Sequence, residues 1–287
     1  MKYLTYIYDG VEMYGVVIND NVYKMKDINP AAPCSLVGFI ESGIKTPDKD
    51  TVLHMGAKPV PLADVKVLAP IPYPRREIIC LGRNYLDHVN EIKTDPNRTV
   101  PEIPVYFGKR AYPANSPGGR IPLHTGVTEQ IDYEVELAAV VGKQCENVAE
   151  ADAFDYIFGY TIINDVSARD LQTRHNQWYL GKSLAGYCPM GPYIADKNEI
   201  PDPGNVNITS RVNGETRQKS NTRMMIFPIA FCISQLSRGF TLLPGDIVAT
   251  GTPAGVGHGF DPPRHLKQGD VVECEADGVG VLTNYVG

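Results

Sequence analysis

Residues 131–142 read IDYEVELAAVVG, from Ile131 to Gly142. On a strand, successive side chains alternate between faces, so Asp132, Glu134 and Glu136 project to one side and Ile131, Tyr133, Val135 and Leu137 to the other. The apolar row predicts a buried face. The acidic row needs compensation, because Asp and Glu are poor strand formers and like charges on one face repel. Water can supply it on an outer strand; basic neighbours or a bound cation can supply it elsewhere. Carboxylates at i and i+2 lie roughly 7 Å apart at the backbone, close enough to converge on a hard divalent ion that takes oxygen ligands. Spacing alone leaves open which of the three acids do so.

Further along the chain, Phe154 to Asn164, FDYIFGYTIIN, is a second apolar stretch that delivers Asp165 at its end. Asp165 is the third carboxylate assigned to the ion, and three carboxylates plus water suit magnesium or manganese better than zinc. Ser167 and Asp170 match an S-x-x-D cap, so a helix is expected immediately after, carrying Arg169 and Gln172 within reach of a substrate carboxylate. Upstream, Ile78 to Leu81 reads as a buried strand, Gly82 as a sharp turn and Asn84 as the cap of a helix from Tyr85. His88 and Glu91 then share one helix face. A carboxylate beside an imidazole orients it and raises its basicity, which makes a general base; the plain alternative is a surface pair with no duty. The segment from Ile92 to Pro104 holds three prolines among polar residues and is expected to be a long loop, a lid over that site.

Lys182, in LGKSLAG, does not belong to a phosphate-binding loop, because Asn176 stands where the first glycine is required. Set among Trp178, Tyr179 and Leu180, it is expected to be partly desolvated and suited to holding an enolate or carboxylate. Asp246 to Gly259 predicts a strand entering a glycine-rich loop. It fails the dinucleotide pattern at Phe260, yet offers backbone N–H groups and the Thr252 hydroxyl to an anion. Pro228 to Gly239 carries the apolar stripe Ile229, Cys232, Ile233, Leu236 and reads as a packing helix.

The chain as a whole is ordinary for a soluble protein, with 43% apolar and 21% charged residues. A net charge of −6 with scattered basic residues argues against a nucleic-acid groove or a membrane-binding patch. The six cysteines are far apart and without zinc-type spacing. Nothing resembles a signal sequence or membrane span, so a cytoplasmic location is expected. Short strand runs broken by Asp9-Gly10 and Asn19-Asp20, then a helix over Ser35 to Ile40 ending near Gly43, predict a small N-terminal α+β unit over residues 1–65. The proline-rich run VLAPIPYP, Val67 to Pro74, marks its boundary with residues 66–287. The last residues are expected to be strands closing the sheet.

Five ordered motifs, GRNYLDHVNE, DYEVELAAVVGK, GYTIINDVSARDLQ, GKSLAGYCPMGP and GDIVATGTPAGVG, closely resemble the fumarylacetoacetate hydrolase superfamily from about Lys66 onward. The resemblance implies an α+β, mostly β fold, a mixed β-sandwich or β-roll preceded by a small extra domain, and a homodimer. It implies Mg2+ or Mn2+ held by Glu134, Glu136 and Asp165, choosing the glutamates over Asp132. It implies a His88/Glu91 dyad, the family lysine at Lys182, and substrate-binding residues at Arg169, Gln172 and Thr252. One stretch departs from the family: FGKRAYPANSPGGR has Arg110 where many relatives carry a proline after the lysine. The form with a small N-terminal unit looks most like bacterial members described as oxaloacetate decarboxylases. The expected function is cleavage of the C3–C4 bond of a small 2-oxo acid to give pyruvate through an enolate. The alternatives are isomerisation or tautomerisation of an unsaturated hydroxy diacid, and a non-catalytic scaffold.

Overall fold

The computed structural model describes residues 1–91 and 99–287, so 92–98 of the expected lid lie outside the described residues. Among the described residues the strands form one mixed sheet of eleven, a five-stranded sheet, and a separate two-stranded pair. The large sheet has Val135–Val141 and Ile157–Asn164 at its centre, paired antiparallel with Glu136 opposite Ile163. On one side it continues through Ile247–Ala249, Ile78–Gly82 and Val105–Lys109; on the other, through Met190–Asp196. The N-terminal meander joins this sheet directly, because Lys2–Tyr8 pairs with Met190–Asp196, Tyr3 opposite Ile194.

The alternation read from the sequence is visible in the packing. Ile131, Tyr133, Val135, Leu137, Ala139 and Val141 enter one core, shared with the helix Ile229–Gly239 and with Ile208, Val272 and Leu282 of the five-stranded sheet. Ala138 and Val140 face the opposite core, built with Tyr3, Val16, Phe39 and Ile40 of the N-terminal segment. The strand is therefore buried on both faces and its acids are not solvated: Asp132, Glu134 and Glu136 are at most 4% exposed.

Several local expectations are corrected. Phe154 to Tyr156 belong to a 3-10 turn over Glu150–Tyr156, and the strand starts at Ile157. Asn84 does not cap its helix, which runs Leu86–Glu91. Its side-chain amide instead donates to the carbonyls of Phe227 (3.0 Å) and Thr250 (2.8 Å), tying two segments together. The helix after Asp165 forms over Arg169–Arg174 without a side-chain cap: Ser167 donates to the Asp165 carbonyl, and Asp170 accepts from the Thr128 hydroxyl (2.6 Å). The final strands, Val271–Ala276 and Gly280–Val286, build the second sheet instead of closing the first. The expected N-terminal helix is present as Leu36–Ser42, with Ser35 accepting the Gly38 N–H at its start and Gly43 left-handed (φ 65°) at its end. Among the described residues no helix is long and apolar enough to cross a membrane.

Candidate metal centre and acid–base cavity

Just before Val135 the strand ladder is interrupted, and side chains replace the missing partners. Asn164 Oδ1 accepts the Glu134 N–H (2.9 Å) and Gln218 Oε1 accepts the Val135 N–H (3.1 Å). Asp165, past the end of the neighbouring strand, donates its N–H to the Glu134 carbonyl at 2.8 Å. These bonds fix three backbones at one strand end. As a result, Glu134, Glu136 and Asp165, all buried, bring carboxylate oxygens within 4.8 Å of one another. Asp132 is directed elsewhere. Its oxygens accept from Gly257 N–H (2.7 Å), His258 N–H (2.9 Å) and the Arg169 guanidinium (2.9 Å).

Cations surround the cluster. Lys182, 2% exposed, places its Nζ 2.8 Å from Glu134 Oε2 and 2.6 Å from Asp165 Oδ2. Arg169 bridges Asp132 and Glu134, with Nη2 2.7 Å from Glu134 Oε1, and donates to Gln172 Oε1 at 2.9 Å. Lys109 was not singled out in the sequence. It is fully buried, lies 2.7 Å from Asp165 Oδ1, and donates to the carbonyls of Val166 (3.0 Å) and Lys182. Its ammonium is thereby held by two carbonyl acceptors and one ion pair. The FGK triplet that ends the strand Val105–Lys109 was the available signal, but an isolated lysine at a strand end usually reaches solvent. Next to it, the Arg110 N–H donates to Ser183 Oγ (3.0 Å), a bond that a proline at that position lacks.

The carboxylates do not titrate alike. Burial opposes ionisation of Glu134, but Lys182 and Arg169 prevail and hold it down at about 2. Burial, together with the charges of Asp165 and Glu134, pushes Glu136 well above the usual range, against the help of Lys182 and the Gly251 N–H. Lys182 is likewise raised to about 12, its two carboxylates outweighing the penalty of burial. Three buried oxygen donors, one of which burial and its neighbours' charge push toward the protonated form, fit a divalent hard cation, which would take the place of that proton.

A cavity of about 370 Å³ opens onto this cluster and is lined by His88, Glu134, Glu136, Arg169, Gln172, Lys182, Thr252 and His258, with Phe107 and Trp178 among its apolar walls. His88 Nδ1 lies 2.5 Å from Glu91 Oε1, and Glu91 Oε2 accepts the Gly255 N–H at 2.8 Å. The glycine-rich loop thus does present N–H groups to anions, and those anions are the protein's own: Gly251 serves Glu136, Gly255 serves Glu91, and Gly257 and His258 serve Asp132. The Thr252 hydroxyl is engaged as well, donating to the Val135 carbonyl (3.0 Å) and accepting from Gln218 (2.7 Å). All nine residues singled out in the sequence lie in one region, eight of them on the cavity wall or in the acid cluster and Glu91 behind His88.

Residues 77–287 match the family described as fumarylacetoacetate (FAA) hydrolase C-terminal, and the chain belongs to this family. Among the proteins it is similar to is oxaloacetate tautomerase YisK of Bacillus subtilis (strain 168), 46% identical over 234 residues, which are 82% of this chain and 77% of that protein. The fumarylacetoacetate hydrolase of psychrophilic Exiguobacterium antarcticum superposes with a TM-score of 0.87 at 38% identity, covering 100% of this chain and 99% of that one. The maleylpyruvate hydrolase of Sphingobium sp. SYK-6, solved with manganese(II) and pyruvate, superposes with a TM-score of 0.78 at 28% identity, covering 100% and 98%.

Proposed function

We propose that this protein is an enzyme of enolate chemistry on small 2-oxo acids of the oxaloacetate class, with Mg2+ or Mn2+ held by Glu134, Glu136 and Asp165. The observation that carries this reading is the meeting of three buried carboxylates beneath a cavity that also holds an imidazole–carboxylate dyad. A divalent cation bound there supplies Lewis acidity that steadies negative charge on the 2-oxo group of the substrate. Lys182, cationic and desolvated, stabilises the developing enolate in this reading. Arg169 and Gln172 orient the substrate carboxylate, and Thr252 shapes the wall beside it. His88, held by Glu91, moves the proton: from C3 in a tautomerisation, or from a water that attacks C4 when that carbon is an acyl group.

The same enolate serves both outcomes. The close similarity to a tautomerase of oxaloacetate favours proton transfer at C3 as the primary reaction. Cleavage of the C3–C4 bond to pyruvate is the outcome when the group at C4 can leave, as carbon dioxide or as an acid after hydration. The partners are the substrate and a second copy of the chain; an exposed aromatic pair, Tyr73 and Tyr112 (52% and 63% exposed, ring centroids 5.4 Å apart), supports a pairing surface. The test is to give the manganese-loaded protein oxaloacetate and acetylpyruvate, following enol absorbance and pyruvate together. Enol–keto relaxation accelerated by the wild type and lost in Glu134→Gln is expected. No acceleration of either reaction with manganese demonstrably bound overturns the reading.

A further inference from the structure

His258 sits in the glycine-rich loop between Gly257 and Gly259 and lines the cavity, half-buried. Its backbone is pinned by the bond from its N–H to Asp132 Oδ2 (2.9 Å). Gly259, next along, packs so closely that an added Cβ would lie 2.4 Å from Glu91 Oε2. His258 is therefore held beside the His88/Glu91 dyad without contacting the acid cluster. Its Nδ1 lies 3.2 Å from Nε2 of His265, and the two rings stack with centroids 5.5 Å apart and 19° between planes.

Two neutral imidazoles joined in this way have two arrangements. If His258 carries its proton on Nδ1 and donates it to His265, its Nε2 is a bare lone pair. If His265 donates instead, His258 Nε2 carries a proton. Uptake of a proton at His258 Nε2, with the Nδ1 proton passing along the contact to His265, thus converts the outer nitrogen of His258 from base to acid. We propose that His258 is a second acid–base residue of this cavity, acting on the C3 proton of the bound 2-oxo acid, with His265 as the positioning residue that stores the proton behind it. The inference rests on the enolate chemistry proposed above.

The step balances within the pair. His258 Nε2 takes H+ from C3, the C–H electron pair becomes the enolate π bond, and the proton on His258 Nδ1 passes to His265 Nε2. The substrate gains one negative charge and the imidazole pair one positive charge; the reverse steps return a proton from His258 Nε2 to the same face of the enolate. The surroundings suit the role. The charged groups facing His258 are Arg169, Asp132 and Glu91, and those facing His265 are Asp132, Arg169 and Asp170. Burial, with Arg169, holds both rings below the ordinary histidine range, so that a proton arriving from substrate finds neutral acceptors.

Two measurements on the magnesium-loaded protein decide the proposal. In ring 15N spectra, oxalate is expected to shift the His258 signals, and His265→Asn to change the His258 tautomer, since its Nδ1 loses its imidazole partner. In deuterium oxide, wild-type protein is expected to wash the C3 protons out of pyruvate. His258→Gln should slow this by about 10²-fold, and His265→Asn should displace the pH profile of exchange, both with unchanged magnesium affinity. His258 signals indifferent to both oxalate and His265→Asn, or exchange at the wild-type rate in His258→Gln, overturn the relay while leaving the enolate reading intact. A wild type that binds oxalate yet exchanges nothing overturns both.

Discussion

Asp165 is reached from two sides, by Lys182 at Oδ2 and by Lys109 at Oδ1. Lys109 has no route to substrate, so its contribution is to hold Asp165 and the Lys182 backbone in place. Lys109→Met leaves a buried carboxylate short of one cation, and a loss of about 3 kcal/mol in urea unfolding is expected, the low end for a broken buried pair because Lys182 remains. Glu136 behaves differently. Its folded-state pKa is raised, so the protonated form stabilises the fold at acid pH, and that contribution is lost as pH rises through the raised value. A cation must displace the proton, so manganese affinity is expected to climb with pH by about one decade per unit until Glu136 ionises. Calorimetry in buffers of different ionisation enthalpy should show about one proton released per ion bound. Glu134, lowered to about 2, has the opposite sign: its contribution is present above the ordinary glutamate value and lost as pH falls toward 2. At this scale the acidic row and the strand-end Asp165 were legible because alternation and strand ends are local facts, while the choice of Glu134 and Glu136 over Asp132 came from the family resemblance. Lys109 and the fate of Asp132 were not, since each depends on partners far away in sequence.

The glycine-rich loop is the element that joins the two halves of the site, because its N–H groups bind both Glu91 and Asp132. Gly259→Ala would drive a methyl group against Glu91, and the expected result is a drop of about tenfold or more in kcat/KM with magnesium affinity unchanged, measured by steady-state kinetics and titration. The strand and loop were readable from Asp246 to Gly259, and so was the capacity of its N–H groups for anions. Which anions they serve was not, because Glu136 and Glu91 arrive from other segments. The capping motif at Ser167 and Asp170 failed for a related reason: Thr128 and Glu129 offered Asp170 better placed donors than the helix did.

Across the whole molecule, the N-terminal strands extend the main sheet and cover the face bearing Ala138, Val140, Ile163 and Ile194. A fragment starting at Lys66 would leave Met190–Asp196 as an open edge beside exposed apolar surface. It is expected to aggregate, or to lose the sharp thermal transition of the full chain, as followed by circular dichroism and light scattering. The proline-rich run Val67 to Pro74 is legible as a break in local patterning, whereas the pairing of Tyr3 with Ile194 is a long-range event that composition does not encode.

The balance of charge around Asp165 also dictates a sequence of events. Glu134 and Asp165 are paired with Lys182 and Lys109, and Asp132 with Arg169, so with the Glu136 proton in place the floor of the cavity is electrically even. Exchanging the Glu136 proton for a doubly charged ion tips it positive. On the proposed function, a dianionic guest is therefore expected to be drawn in only after loading, the ion entering first and the acid second, and the acid leaving before the ion.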